Sequence, residues 1–451
     1  MRNHTGSLSV LPVLVLFVLS ARIASLATPS TSLWNEMIIK HKWDAIPDNW
    51  VSLGHPPNGT TIELHIVLKA NRENALIDAL HEVSHPRHPK HVHFTSTVML
   101  EDYSRVPPRR FRYGAHLSRE QAAELAAPHP DTLKLVISWL EYNDVPTSSI
   151  SMTHGGSWLT IAGVPVLKAN EILGASYEFY HHAWANATIL RTVSYSLPAS
   201  LHTHVKMVAP TTAFTSTRLL QQAPLSHSGG EAALENVTSG ESSDLLSRDE
   251  PSVVPAFLRW LYRMPLDDPA PSENTLGIAG FANEFPSQQD LFRFMTLYRT
   301  DVDPIIASTR IMDVVPVNAG VDDDPIGRRG SMDTQYSVAL TFPTQIHYYT
   351  IGGSRQIAPG GPADGDYYLE WLRYMFEKRY VPLTISVPYS IRELELPVEY
   401  ATTLCDWFRD LGARGVSILV ASGDEGISAN SRGQRQFRIS TTFPASCTCG
   451  V

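Results

Sequence analysis

Two patterns in this sequence have the residue types and spacing that chemistry needs. In GRRGSMDTQY (327–336), Arg329 and Asp333 are four residues apart, so a helix there would carry both on one face. In HEVSH (81–85), His81 and His85 stand one turn apart with Glu82 beside the first, an arrangement that can hold zinc next to a glutamate base. Pro86 follows at once, so the helix is expected to end near Ser84 and His85 to leave its face. Polar residues at an exposed helix end are the better reading of HEVSH. His88, His91 and His93 extend a histidine-rich patch with adventitious metal affinity. Asp322, Asp323 and Asp324 lack calcium-loop spacing and read as a solvated loop. GGSRQIAPGG (352–361) has no Gly-Lys-Ser/Thr after it and reads as a surface loop, not a phosphate cradle.

The elements that must position these residues fall into two textures. TIELHIVL (61–68) and GSWLTIAG (156–163) read as strands. ENALIDALHEV puts Leu76, Leu80 and Val83 on one helical stripe, and LKLVISWLEYNDV (133–145) is a second amphipathic helix. This order predicts a mixed α+β unit. From 256 onward, TLGIAGFA (275–282), IMDVVPV (311–317), IHYYTIGG (346–353), PLTISV (382–387) and GVSILVA (415–421) are short apolar runs of buried-strand character. Helices lie between them. In PVEYATTLCDWFRDLG, Pro397 suits the first turn, Val398, Ala401, Cys405 and Phe408 form a stripe, and Gly412 suits the cap. Alternating strands and helices predict an α/β parallel sheet with helices on both faces. Between the textures, 216–255 is rich in Ser, Gly and Glu and reads as an exposed linker open to processing.

The 451 residues are too many for one compact domain. A net charge of −9, with no long basic run, argues against a nucleic-acid partner. Arg2, the apolar run 11–20 and small residues up to Ala27 have the order of a secretory signal peptide. That run is about half a bilayer span, so the chain is expected to be secreted rather than anchored in a membrane. Asn58, Asn186 and Asn236 head sequons compatible with glycosylation. The three cysteines, Cys405, Cys447 and Cys449, leave one thiol unpaired or short of a partner. The core is therefore expected to be stable largely without staples.

Several of these stretches together resemble the sedolisin (S53) serine-carboxyl peptidases, especially the secreted fungal tripeptidyl-peptidases. YGAHLSREQAAEL (113–125) and SYSLPASLHTHVKMVAPTTAF (194–214) are similar to the family's pro-domain, and LGARGVSILVASGDEG (411–426), FPASC (443–447) and SMDTQY to its peptidase domain. The resemblance implies a signal peptide (1–27), an inhibitory α+β, ferredoxin-like pro-domain (28–215), a linker (216–255) and part of a subtilisin-like peptidase domain (256–451). The sheet of that domain is expected to be incomplete. The family's activity is acid-pH proteolysis of peptide and protein substrates, with tripeptides released from N-termini. Such chemistry uses carboxyl groups that titrate near the working pH.

On the resemblance, Asp333 is the aspartate that supports the glutamate base, and Asp424 the aspartate that stabilises the oxyanion. Arg329 occupies the position of the base. A guanidinium cannot accept a proton at any working pH, so the base is expected to be lost. The family's serine lies in a Gly-Thr-Ser segment downstream of FPASC; that triplet occurs nowhere here, and the chain stops shortly after Ser446 in CTCGV. The calcium of the complete family domain has no site in this chain on the same reading, and no other cofactor is implied. PRHPKHVHFTSTVMLEDYSRVPPRRFR interrupts the pro-domain like an insertion. The chain is thus expected to be an inactive peptidase homologue. The alternatives are a binder that inhibits a related peptidase through its pro-domain and, more weakly, a zinc peptidase built on HEVSH.

Overall fold

The computed structural model describes residues 33–84, 114–153, 155–182, 187–215, 253–264, 274–281, 284–318, 320, 331–352, 366–423 and 441–447. The signal-peptide stretch, most of the linker, the histidine patch from His85 onward, the acids 322–324, Arg329, Asp424, Cys449, Asn186 and Asn236 lie outside the described residues.

The N-terminal unit begins with β1 (Met37–Lys42), β2 (Trp50–Gly54), β3 (Thr61–Leu68) and α1 (Ala75–Ser84). It continues through α2 (Arg119–Ala126), α3 (Pro130–Tyr142), β4 (Ile150–Met152), β5 (Trp158–Pro165), α4 (Val166–Leu173) and β6 (Glu178–His182). β7 (Ala187–Arg191), β8 (Ser194–Pro198) and β9 (Val205–Ala209) complete it. Its main sheet is antiparallel in the order β4-β5-β3-β9. Strand β3 shows why. Ile62, Leu64, Ile66 and Leu68 alternate onto one face, against Val136, Trp139 and Leu140 of α3. The intervening Glu63, His65 and Val67 point the other way, as a period of two requires. Helix starts are equally local: Ser118 and Gln121 form a reciprocal capping box on α2, and Pro130 opens α3.

The C-terminal unit runs α5 (Pro255–Leu261), β10 (Thr275–Gly280), α6 (Gln288–Tyr298), α7 (Pro304–Thr309), β11 (Met312–Val317), α8 (Ser331–Thr341) and β12 (Gln345–Ile351). It goes on with α9 (Tyr367–Glu377), β13 (Thr384–Val387), β14 (Ile391–Arg392), α10 (Val398–Ala413), β15 (Ser417–Val420) and β16 (Thr442–Phe443). Five strands form a parallel sheet in the order β11-β12-β10-β13-β15. Neighbouring residues serve opposite faces. Ile278, Ile346 and Tyr348 pack with α6, α7 and α8, while Ala279, Tyr349 and Ile351 pack with α9 and α10. The expected mixed α/β architecture, with a parallel sheet and helices on both faces, is what forms.

Three details differ from the sequence reading. Helix α10 buries Tyr400, Thr403, Leu404, Trp407, Phe408 and Leu411, whereas Val398 is 72% exposed. The stripe is rotated because α10 is covered from two sides, by the sheet and by the N-terminal unit. Gly412 is inside the helix, and Gly415 takes the left-handed conformation, with φ of 91°. A Cβ on Gly415 would stand 2.7 Å from the His116 ring of the N-terminal unit, so only glycine fits. The core is also stapled after all: Cys405 of α10 is bonded to Cys447.

The two units meet in one apolar seam. Val67, Trp158, Met207 and Ala209 belong to the same buried cluster as Trp371, Leu372, Trp407 and Phe408. The indoles of Trp158 and Trp407 stack at 4.6 Å with planes 18° apart. Polar contacts border this patch. Leu117 N–H donates to Ala413 O (2.9 Å) and Arg119 Nη1 to Glu377 O (2.8 Å), and Lys206 pairs with Asp406.

Candidate active site

In parallel α/β sheets, chemistry gathers beyond the carboxyl ends of the strands, and three chain segments converge there. Helix α8 begins at Ser331 and carries Asp333 in its first turn. Strand β10 ends in Gly280, and Glu284 follows with its side chain buried. Beyond β13, Tyr389 donates its hydroxyl to Glu284 Oε2 (2.5 Å) and accepts from Phe281 N–H (3.0 Å). Tyr348 of β12 lies between these groups. Burial, then the charges of Glu284 and Asp333, push its hydroxyl far above the ordinary tyrosine range. Among the described residues that buried hydroxyl has no hydrogen-bond partner. Gly280 makes room for it, since a Cβ there would come within 2.3 Å of Tyr348 Oη.

Asp333 is half-buried, and desolvation pushes its carboxyl up to about 6. Burial disfavours the charged form of an acid, and among the described residues nothing offsets it. Asp333 therefore exchanges its proton in mildly acidic solution, where a carboxyl suits proton transfer. The partner expected one turn earlier, Arg329, is outside the described residues, as is Asp424. Strand β15, which leads towards Asp424, is the edge strand of the described sheet.

Among the described residues HEVSH contributes to no metal-ligand cluster. Helix α1 ends at Ser84, His81 is exposed, Glu82 is buried, and His85 lies outside the described residues. Asn58 sits in an exposed turn. Sequence reasoning missed Glu284, Tyr348 and Tyr389, which are far apart in the chain: Glu284 and Tyr389 follow the ends of β10 and β13, and Tyr348 stands in the middle of β12. The one signal for them is that each lies within or just after an apolar run.

The pro-kumamolisin activation domain family matches residues 48–105 and 99–214. Over 441 residues the chain is 27% identical to tripeptidyl-peptidase SED2 of Arthroderma otae, covering 94% of this chain and 68% of that protein. It is 26% identical to the probable tripeptidyl-peptidase SED3 of Trichophyton verrucosum, covering 89% of this chain and 64% of that one. The chain thus spans about two thirds of the length of these relatives. Among solved structures, Pseudomonas sedolisin, a serine-carboxyl proteinase complexed with two molecules of pseudo-iodotyrostatin, aligns at a TM-score of 0.33 and 19% identity. That alignment covers 44% of this chain and 51% of that one, a likeness too partial to carry a fold assignment.

Proposed function

We propose that this chain, a homologue of the sedolisin-type (S53) peptidases, is a zymogen-like polypeptide whose 451 residues do not hydrolyse peptides by themselves. The observation that carries the reading is the activation-domain match over residues 48–105 and 99–214 in a unit packed against a parallel α/β sheet, with Asp333 in the first turn of α8. In this reading residues 28–215 are the pro-domain, 216–255 the processing linker and 256–451 the peptidase region. The order β4-β5-β3-β9, with helices after β3 and β5, supports a ferredoxin-like pro-domain. The five-stranded parallel sheet supports a subtilisin-like peptidase region. Asp333 supports the base position, Asp424 donates to the oxyanion, and Arg329 fills the base position with a group that cannot accept a proton. The chain enters the secretory route and is glycosylated at Asn58.

The test is hydrolysis of an N-terminally unblocked tripeptide carrying a chromogenic leaving group, at acid pH, by the purified chain and by Arg329→Glu. No turnover is expected from either, because Gly-Thr-Ser is absent from these residues. Turnover by the unaltered chain would sink the proposal.

A second reading rests on the seam. Its continuous apolar cluster suits a pro-domain that also covers a related peptidase in trans. Dose-dependent inhibition of such an enzyme by residues 28–215 is then expected, and no inhibition at saturating fragment removes that role.

A further inference from the structure

Where β3 crosses the seam, three side chains from both units meet. Glu63 and His65, two apart on the strand, point to the same side, and Glu370 of α9 comes up to them from the C-terminal unit. His65 Nε2 is 3.4 Å from Glu370 Oε1 and 3.6 Å from Glu63 Oε1. One donor atom from each residue lies within 4.8 Å of the other two. We propose that Glu63, His65 and Glu370 form a binding site for a zinc-class divalent cation that bridges the N-terminal and C-terminal units.

The distances leave room for an ion between the donors. A charge-assisted N–H···O bond is about 2.7–2.9 Å long, and both separations exceed that. Zinc bonds of about 2.0–2.2 Å in a tetrahedron put neighbouring donors roughly 3.3–3.6 Å apart, close to the two separations from His65 Nε2. The surrounding groups are already arranged as supports. His65 Nδ1 lies 3.1 Å from Thr160 Oγ1 and 3.3 Å from Trp158 Nε1; in the tautomer with its proton on Nδ1, that proton goes to Thr160 Oγ1 and the Nε2 lone pair is left for the metal. Trp158 Nε1 keeps Thr160 Oγ1 as its acceptor at 3.1 Å. Arg373 grips Glu370 Oε2 through Nη2 (2.7 Å) and Nε (3.2 Å), which aims Oε1 at the histidine. Metal-binding histidines and carboxylates are usually held in this way from behind.

Charge and access agree. Two carboxylates against the one Arg373 guanidinium leave a net negative charge for a divalent ion to offset. His65 and Glu370 are buried, while the Glu63 side chain is 42% exposed, so the ion enters from that side and a water completes the tetrahedron. One imidazole with few donors selects zinc over calcium, which wants six or more oxygens. The site needs no hydrolytic activity, so its test is separate from the peptidase reading.

The purified full chain, stripped with chelator, is titrated with zinc chloride by calorimetry. Metal content is read after gel filtration, with calcium chloride as the control. One zinc per chain is expected, with a melting temperature that rises with zinc and not with calcium. Glu63→Gln should weaken zinc at least tenfold and leave the melting temperature in chelator unchanged, because Glu63 is at the surface. Replacing His81, His85, His88, His91 and His93 together by alanine should leave this zinc in place. No zinc binding by the unaltered chain, unchanged affinity in Glu63→Gln, or loss of zinc in the histidine-patch variant overturns the site.

Discussion

Glu370 and Asp410 stand at two ends of the same seam, both almost wholly buried, and hold their protons in opposite ways. Burial pushes Glu370 up, but His65 and Arg373 outweigh it and keep the carboxyl below the usual glutamate range. Asp410 is pushed up to about 7 by burial, which Arg414 only partly offsets. The reason is geometric. Arg414 stands 4.0 Å from Asp410 Oδ1 and gives its N–H groups to Met375 O (3.4 Å) and Lys378 O (2.7 Å). Among the described residues Asp410 Oδ1 has no donor, and it lies beside a cavity of about 90 Å³. Equal burial thus gives opposite proton affinities, and what decides is whether a cation is aimed at the carboxylate or spent elsewhere.

Four substitutions break or sharpen that contrast, each followed by denaturant unfolding across pH, in chelator. Glu370→Gln should have the largest effect, a loss of about 3 kcal/mol at neutral pH, because it takes from Arg373 its hydrogen-bonded anion and leaves only the more exposed charges of Glu63 and Glu377 to offset it. A depressed carboxyl stabilises above its unfolded value and loses that contribution as pH falls through its folded value. The loss should therefore shrink in acid, and a loss independent of pH would mean that Glu370 acts by packing alone.

Asp410→Asn should do the reverse. Its carboxyl binds a proton more tightly when folded, so its contribution is present in acid and is lost as pH rises from about 4 to about 7. Three pH units amount to about 4 kcal/mol at most. The asparagine variant should match the parent in acid and exceed it by about 2 kcal/mol above pH 7. Destabilisation there would show that Arg414 is a true partner. Asp333→Asn has the same sign in a half-buried place, where solvent screens the charge. About 1 kcal/mol of gain at neutral pH is expected, and a loss would reveal a partner for Asp333. Lys206→Ala removes a partly exposed pair with Asp406, so it should cost under about 1 kcal/mol and vanish at high salt. A cost that persists in salt would make that pair as structural as the Glu370 cluster.

The same contrast marks what the sequence made legible. Strand β3 could be read because its apolar set repeats every second residue, and the parallel strands because short β-branched runs bury on both faces. The helix that carries Asp333 was legible from its local context. The seam was not. Its partners, such as His65 and Glu370, are about 300 residues apart in the chain, and a strand's polar face reads as solvent-facing until something covers it. Helix α10 misled for the same reason. A stripe through Val398 and Cys405 assumes one buried side, whereas Tyr400 and Leu404 face the C-terminal core and Trp407 faces the N-terminal unit. Three cysteines alone could not choose the pair that Cys405 and Cys447 make.

The stacked indoles of Trp158 and Trp407, one from each unit, have an optical consequence. Two nearly parallel chromophores 4.6 Å apart share their excited states. The joined chain should therefore show an exciton couplet in far-ultraviolet circular dichroism and quenched tryptophan emission. Separation of the two units abolishes the couplet and brightens the emission, so the molecule carries its own unlabelled gauge of whether it is closed.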